Sequence, residues 1–263
     1  MITTTRLGTV GFDEAGAGTP VLLLHGFPHD RTLWSAQLAA PPAGARLVAP
    51  DLPGFGESSR AAVPSLDVYA DWVMAFCDAL ALDRVVVGGL SMGGYLAFSL
   101  WRRHPERISA LILADTKSPA DNDEGKAKRV ALQAIALAEG AGAIAEKSLA
   151  GMIGKTTRET RPQVAAFVDA MMRGAPVTGI GDALDAMRTR EDSTPTLATI
   201  KVPTLIVCGA EDALTPVKES EAMHLAIADS QLAIIPGAGH VSCLEHPAAF
   251  NALLAGFLTA RIV

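Results

Sequence analysis

The sequence predicts an α/β protein: a mostly parallel central sheet flanked by helices, with a helical cap inserted late in the chain. Three observations carry this. Short apolar runs, such as residues 21–24 and 85–87, alternate with segments of helical spacing, the rhythm of a parallel sheet covered on both faces. The rhythm breaks near Lys117, where Ala, Met and charged residues take over at helical spacing, and it resumes at Val202. His25, Asp51, Ser91 and Asp115 all fall at the carboxyl ends of predicted strands, where sheets of this kind place their ligand sites.

In order, residues 1–7 and 9–14, parted by Gly8, read as a hairpin of edge strands, and 15–19 as a turn. Residues 21–24 are a buried strand, 31–40 a short helical pattern, 46–49 another strand, and 51–58 a glycine-rich loop. From 66 to 80, Val68, Trp72, Val73, Phe76 and Leu80 mark one apolar helix face. Residues 85–87 form a strand that breaks into Gly88-Gly89-Leu90-Ser91-Met92-Gly93-Gly94, and the helix that follows is stopped by Pro105. Residues 108–114 are a strand. Helices are expected at 125–139, 143–152, 162–172 and 181–187, strands at 202–208 and 231–235, and helices at 217–228 and 247–260. Residues 1–116 and 194–263 are thus expected to form one core domain, and 117–193 its cap.

At 263 residues the chain is long enough to bury roughly 70 to 75% of its unfolded surface. The balance of 22 basic against 28 acidic residues, with no dense Lys/Arg run, argues against a nucleic-acid partner. Cys77, Cys208 and Cys243 are too widely spaced for a disulfide framework or a metal-binding pair, which fits a reducing compartment. The first residues lack a signal-peptide core, and no window reaches the run of about 18 apolar residues that a membrane span needs. A soluble cytoplasmic protein with no membrane partner is expected.

The chemistry centres on Ser91. It sits where a strand turns sharply into a helix, a geometry that lifts its hydroxyl clear of both elements. Gly89 and Gly93 have no Cβ to obstruct the turn. A serine hydroxyl needs a base to take its proton and a carboxylate to orient that base. His240, in Gly237-Ala238-Gly239-His240, and Asp212, after the strand ending near Cys208, supply both in the order Ser91, Asp212, His240. His29, His104, His224 and His246 read as surface or capping residues. No two histidines have metal-ligand spacing with a carboxylate nearby, so neither a metal nor a cofactor is assigned.

With His25-Gly26-Phe27-Pro28, the loop 51–58, Gly89-Leu90-Ser91-Met92-Gly93, the segment 209–216 and Gly237-Ala238-Gly239-His240 in this order, the chain resembles the α/β-hydrolase fold superfamily over essentially its whole length. The resemblance implies an oxyanion hole made by the backbone N–H groups of Phe27 and Met92, with His25 bracing its loop. It also implies that Asp51, Gly54 and Gly56 are structural. Epoxide hydrolases and haloalkane dehalogenases share the His-Gly-Phe-Pro segment but use an aspartate where this chain has Ser91, so their chemistry is not expected. Serine members of the superfamily include esterases, lactonases acting on enol-lactones among others, carbon–carbon bond hydrolases and cofactor-free perhydrolases, and these motifs do not separate them.

The leading expectation is a carboxylic-ester hydrolase acting on a small-molecule ester, with a lactonase next and a small-molecule receptor as the option from a different class. Arg129, Lys147 and Arg173 could bind a carboxylate-bearing lactone but read first as a solvated helix face. Met152, Met171, Met172 and Met187 are expected to pack the cap or line an adaptable pocket. Cys243 is the reserve nucleophile, and Asp115 the alternative acid, with a bland role of bonding backbone N–H groups at the hinge into the cap.

Overall fold

Strands β1 (Ile2–Thr5), β2 (Gly8–Gly16), β3 (Thr19–Leu24), β4 (Ala45–Pro50), β5 (Val85–Leu90), β6 (Ile108–Ala114), β7 (Thr204–Gly209) and β8 (Ser230–Ile235) form one sheet in a computed structural model that describes residues 1–261. Their order is β1-β2-β4-β3-β5-β6-β7-β8. β1 pairs antiparallel with β2, and β2 with β4, while every other neighbouring pair is parallel. The carboxyl ends of β3 to β8 therefore open on one side of the sheet, and the six loops that leave them share it.

Alternation along each strand sorts the core into two layers. In β3, Leu22 and Leu24 belong to one apolar cluster, and Val21 and Leu23 to the other. The first cluster is covered by α2 (Leu66–Ala79) and α3 (Met92–Arg103), the second by α12 (Pro247–Arg261) together with Leu33 and Trp34 from the 3-10 turn Arg31–Trp34. That turn runs into the one-turn helix α1 (Ser35–Leu38). Each Leu or Val fully removed from water in these layers contributes about 1.5–3 kcal/mol. Ser65 starts α2 by accepting a hydrogen bond from Val68 N at 3.2 Å. The buried arc of α2 is wider than the sequence stripe: Leu66, Tyr69, Ala70 and Cys77 join Trp72, Val73 and Phe76, while Val68 and Leu80 lie at its margins. The helix packs against both α3 and β1, so two sides are covered.

Between β6 and β7 the chain is helical: α4 (Asp123–Glu139), α5 (Ala141–Met152), α6 (Lys155–Thr160), α7 (Pro162–Gly174), α8 (Val177–Arg188) and α9 (Thr194–Leu197). α4 packs on α8 and α5 on α7. Four of these six correspond to predicted helices, and α6 and α9 do not. After β7 come α10 (Val217–Ala226), β8, the single turn α11 (Ser242–Glu245) and α12. No described helix is long and apolar enough to cross a membrane.

Candidate active site

β5 is buried throughout and ends at Leu90, so Ser91 is the first residue free of the strand. Its φ of 54° and ψ of −111° are sparsely populated for a residue with a side chain, and the surroundings hold it there. Ser91 N donates to Ala114 O at 2.9 Å, extending the β5–β6 ladder, and the Thr116 hydroxyl donates to Ser91 O at 2.8 Å. A Cβ on Gly89 would come within 2.1 Å of Gly93 O, and one on Gly93 within 2.3 Å of Leu24 O. Both glycines are there because backbone passes through the space a side chain would fill.

His240 lies in the loop after β8, 2% exposed, and its two ring nitrogens face different partners. Nδ1 is 2.8 Å from Asp212 Oδ2, and Nε2 is 2.8 Å from Ser91 Oγ. A carboxylate accepts only, so the proton sits on Nδ1, and Nε2 is left to accept from the serine hydroxyl. Asp212 Oδ1 accepts from Leu214 N (2.8 Å) and Thr215 N (3.0 Å), and Oδ2 also accepts from the Thr215 hydroxyl at 2.6 Å. Burial alone would raise the Asp212 pKa, but the charge and hydrogen bond of His240 and the Thr215 donors hold it below the usual value. Burial alone would lower the His240 pKa, yet the adjoining Asp212 carboxylate lifts it above the ordinary 6.5.

The backbone N–H groups of Phe27 and Met92 make no hydrogen bond among the described residues. Met92 opens α3, so its N–H is one of the donors a helix leaves unpaired. Phe27 lines the same cavity as Ser91. His25 is fully buried below that loop, with Nδ1 2.8 Å from Gly26 O and Nε2 accepting from Leu52 N at 2.9 Å. Asp51 accepts from Arg31 N and Glu57 N, each at 2.9 Å, and from the Arg31 guanidinium, tying the glycine-rich loop into a knot away from the serine.

Asp115 departs from its expected place at the hinge. It is fully buried, and its carboxyl reaches across the sheet, accepting from Gly209 N (2.8 Å) and from Ser242 N and Oγ (3.1 and 2.6 Å). It therefore fastens the end of β7 to the segment after His240. Burial and the nearby Asp212 charge push it up to about 8. Asp115, Cys208 and Asp212 bring donor atoms within 4.8 Å of one another. The Cys208 thiol donates to Gly209 O and Thr215 O and is pushed up by burial to about 12, and both carboxyls already have partners of their own.

His29 also departs from expectation. It is 1% exposed, neither ring nitrogen has a partner among the described residues, and burial with the neighbouring His25 and His240 holds it down to about 3. The other three histidines are paired near the surface: His104 with Asp71, His224 with Ser230 and His246 with Arg161. Cys243 is fully buried with its thiol toward Leu33 O.

Several contacts at the site carry no sequence signature. Glu245, fully buried, accepts from Gly239 N (2.8 Å) and Val241 N (3.3 Å) with Oε1 and from Gly154 N (2.9 Å) with Oε2, joining the His240 loop to the helical segment. His240 N donates to Met152 O at 3.0 Å. Glu211, one residue before Asp212, accepts from Thr156 N (2.8 Å) and the Thr156 hydroxyl (2.5 Å). Only Thr215 had a local cue, as a hydroxyl three residues beyond an aspartate in a turn.

Above Ser91 and His240 lies a cavity of about 480 Å³. Its walls include Phe27, Tyr95, Leu132, Ile135, Met152 and Met187, and Lys117, Lys128, Arg129 and Lys147 also reach it. Met171 and Met172 instead pack into the core layer under α7, and Arg173 pairs with Asp169 and Glu146 outside the cavity.

Residues 19–247 match the family model described as the alpha/beta hydrolase fold. The chain belongs to that family. This hydrolase-fold chain is 30% identical over 259 residues to the AB hydrolase superfamily protein YisY of Bacillus subtilis, covering 95% of each. Among solved structures it is similar to a thermophilic esterase from Thermogutta terrifontis, determined with malate bound: TM-score 0.95, 37% identity, 99% of this chain and 98% of that one. It is also similar to the enol-lactonase from Burkholderia xenovorans: TM-score 0.90, 25% identity, 98% and 100% coverage.

Proposed function

We propose that the protein is a serine hydrolase that cleaves a carboxylic ester through an acyl-enzyme. The observation that carries this is His240 standing 2.8 Å from both Asp212 Oδ2 and Ser91 Oγ. In this reading Ser91 Oγ attacks the ester carbonyl carbon as its proton passes to His240 Nε2, and Asp212 holds the imidazole in that tautomer. The oxyanion is met by the free N–H groups of Phe27 and Met92, where one such donor lowers the barrier by about 3 kcal/mol. His240 returns the proton to the departing alkoxide. Water, deprotonated by the same nitrogen, then releases the acid and restores Ser91.

Residues 117–193 act as a cap over the core formed by 1–116 and 194–263, and the cavity beneath it suits short to medium acyl groups. A lactone is the second reading, favoured by the similarity to an enol-lactonase and by identical bond chemistry. The test is turnover of chromogenic esters of graded chain length and a matching lactone series by wild type and Ser91→Ala. Short esters should be cleaved by wild type, with Ser91→Ala below about 1% of that rate. Retained turnover in the variant would remove Ser91 as nucleophile, and a preference for long-chain lipid at an oil–water interface would overturn the role given to the cap.

A further inference from the structure

The cavity over Ser91 contradicts the charge of the chain. The protein carries 28 acidic and 22 basic residues, yet Lys117, Lys128, Arg129 and Lys147 all line this cavity and, among the described residues, no Asp or Glu does. The four fall into two tiers. Lys128 and Lys147 are exposed at the rim, where solvation accounts for them. Lys117 and Arg129 lie deeper, with side chains 27% and 18% exposed.

The inner pair is under-neutralised. One carboxylate, Asp121, serves three cations: it accepts from Arg129 Nε at 2.5 Å and from Arg190 Nη2 at 2.9 Å, and Lys117 Nζ stands 3.9 Å away, beyond hydrogen-bond reach. Arg190 is further committed to the backbone carbonyls of Met187 and Pro119, and its guanidinium carbon stacks 4.2 Å over Tyr95, which lines the cavity. The Lys117 ammonium makes no hydrogen bond among the described residues, and its burial, with the nearby Arg190 and Arg129 charges and only partly offset by Asp121 and Glu219, lowers its pKa. A half-buried cation without an acceptor gains most from a charged ligand, because the surrounding low dielectric strengthens the pair.

We propose that this cavity selects esters bearing a second, ionised acid group, a carboxylate bound by Lys117 and Arg129 while the ester carbonyl lies at Ser91. The inference rests on the ester-hydrolase reading for its reaction, but the anion site can be tested without it. Lys147 at the rim adds to the field that draws the anion inward, whereas Lys128 is paired with Glu124 at 2.8 Å.

Two substrate pairs test the selectivity: monoethyl against diethyl glutarate, with the carboxylate on the acyl side, and O-butyrylglycolate against its methyl ester, with the carboxylate on the alcohol side. In at least one pair the anionic member should have the higher kcat/KM. Its advantage should fall at least tenfold in Lys117→Met, mainly through KM, and shrink as ionic strength rises. Separately, glutarate should bind Ser91→Ala in titration calorimetry, uncharged glutaramide should not, and adding Lys117→Met should weaken glutarate at least tenfold. Preference for the neutral member in both pairs, or an advantage indifferent to Lys117→Met, overturns the proposal while leaving the ester reading intact. Glutarate binding that depends on Lys117, in a protein that cleaves no ester, leaves the anion site standing and removes the hydrolase reading instead.

Discussion

Asp212 and Asp115 leave adjacent parallel strands, and their surroundings give them different tasks. Asp212 touches His240 Nδ1, whereas Asp115 spends its oxygens on Gly209 and Ser242. Asp212→Asn should lower kcat by several orders of magnitude, since an amide can present its NH2 to Nδ1 and favour the wrong tautomer. Asp115→Asn should lower kcat about tenfold or less while lowering Tm, because an amide nitrogen would face donors. Parallel kcat and melting measurements check the ranking, and its reversal would move the acid role to Asp115. The pH profile reports on the same contact. His240 must be neutral to accept a proton, and Asp212 raises its pKa, so kcat/KM for a neutral ester should fall with decreasing pH through a midpoint above 6.5. An acid limb below 6.5 in wild type would contradict the Asp212–His240 contact. That Ser91, Asp212 and His240 come together was legible because each lies in a turn after an apolar run. His29 was not: Asp30 and Arg31 after it suggest an exposed turn, and only the folded loop shows that it faces inward.

At the scale of elements, the strands and long helices were legible because their periods are set by burial: β6 was expected at 108–114 and is Ile108–Ala114. α6 was illegible for a physical reason. Its sequence, K-T-T-R-E-T, offers no apolar stripe, and it is anchored through Thr156 on Glu211, a contact 55 residues away. The turn into α3 makes the clearest prediction at this scale. Gly93→Ala places a Cβ 2.3 Å from Leu24 O and 3.0 Å from His25 O, atoms that cannot yield without moving the Phe27 loop. The variant should lose about 2 kcal/mol or more, about 5 °C in Tm for a chain of this size, and most of its activity. Gly256→Ala in α12 meets nothing within 4 Å and should be neutral or stabilising by up to about 1 kcal/mol. Equal melting temperatures for the two variants would refute the steric account of the turn.

Across the whole molecule, two buried layers hold the sheet rigid, and six parallel strands bring their loops to one edge, where the helical segment meets them. The chain is acidic overall, yet its cavity is lined by four basic residues and, among the described residues, no acidic one, a contrast that a residue count could not reveal. The segment is attached on two sides: on one, Arg60 pairs with Asp182 of α8 at 2.7 Å. On the other, around α6, Gly154 and Thr156 are bonded to Glu245 and Glu211, the residues that hold the loops of His240 and Asp212. The helical segment and the loops of the proposed triad thus share a seam. On the proposed mechanism, displacing α6 would disturb the loops that carry Asp212 and His240. For engineering, helices borrowed from a relative to replace those between β6 and β7 would arrive without this stitching unless Gly154, Thr156, Glu211 and Glu245 travelled with them.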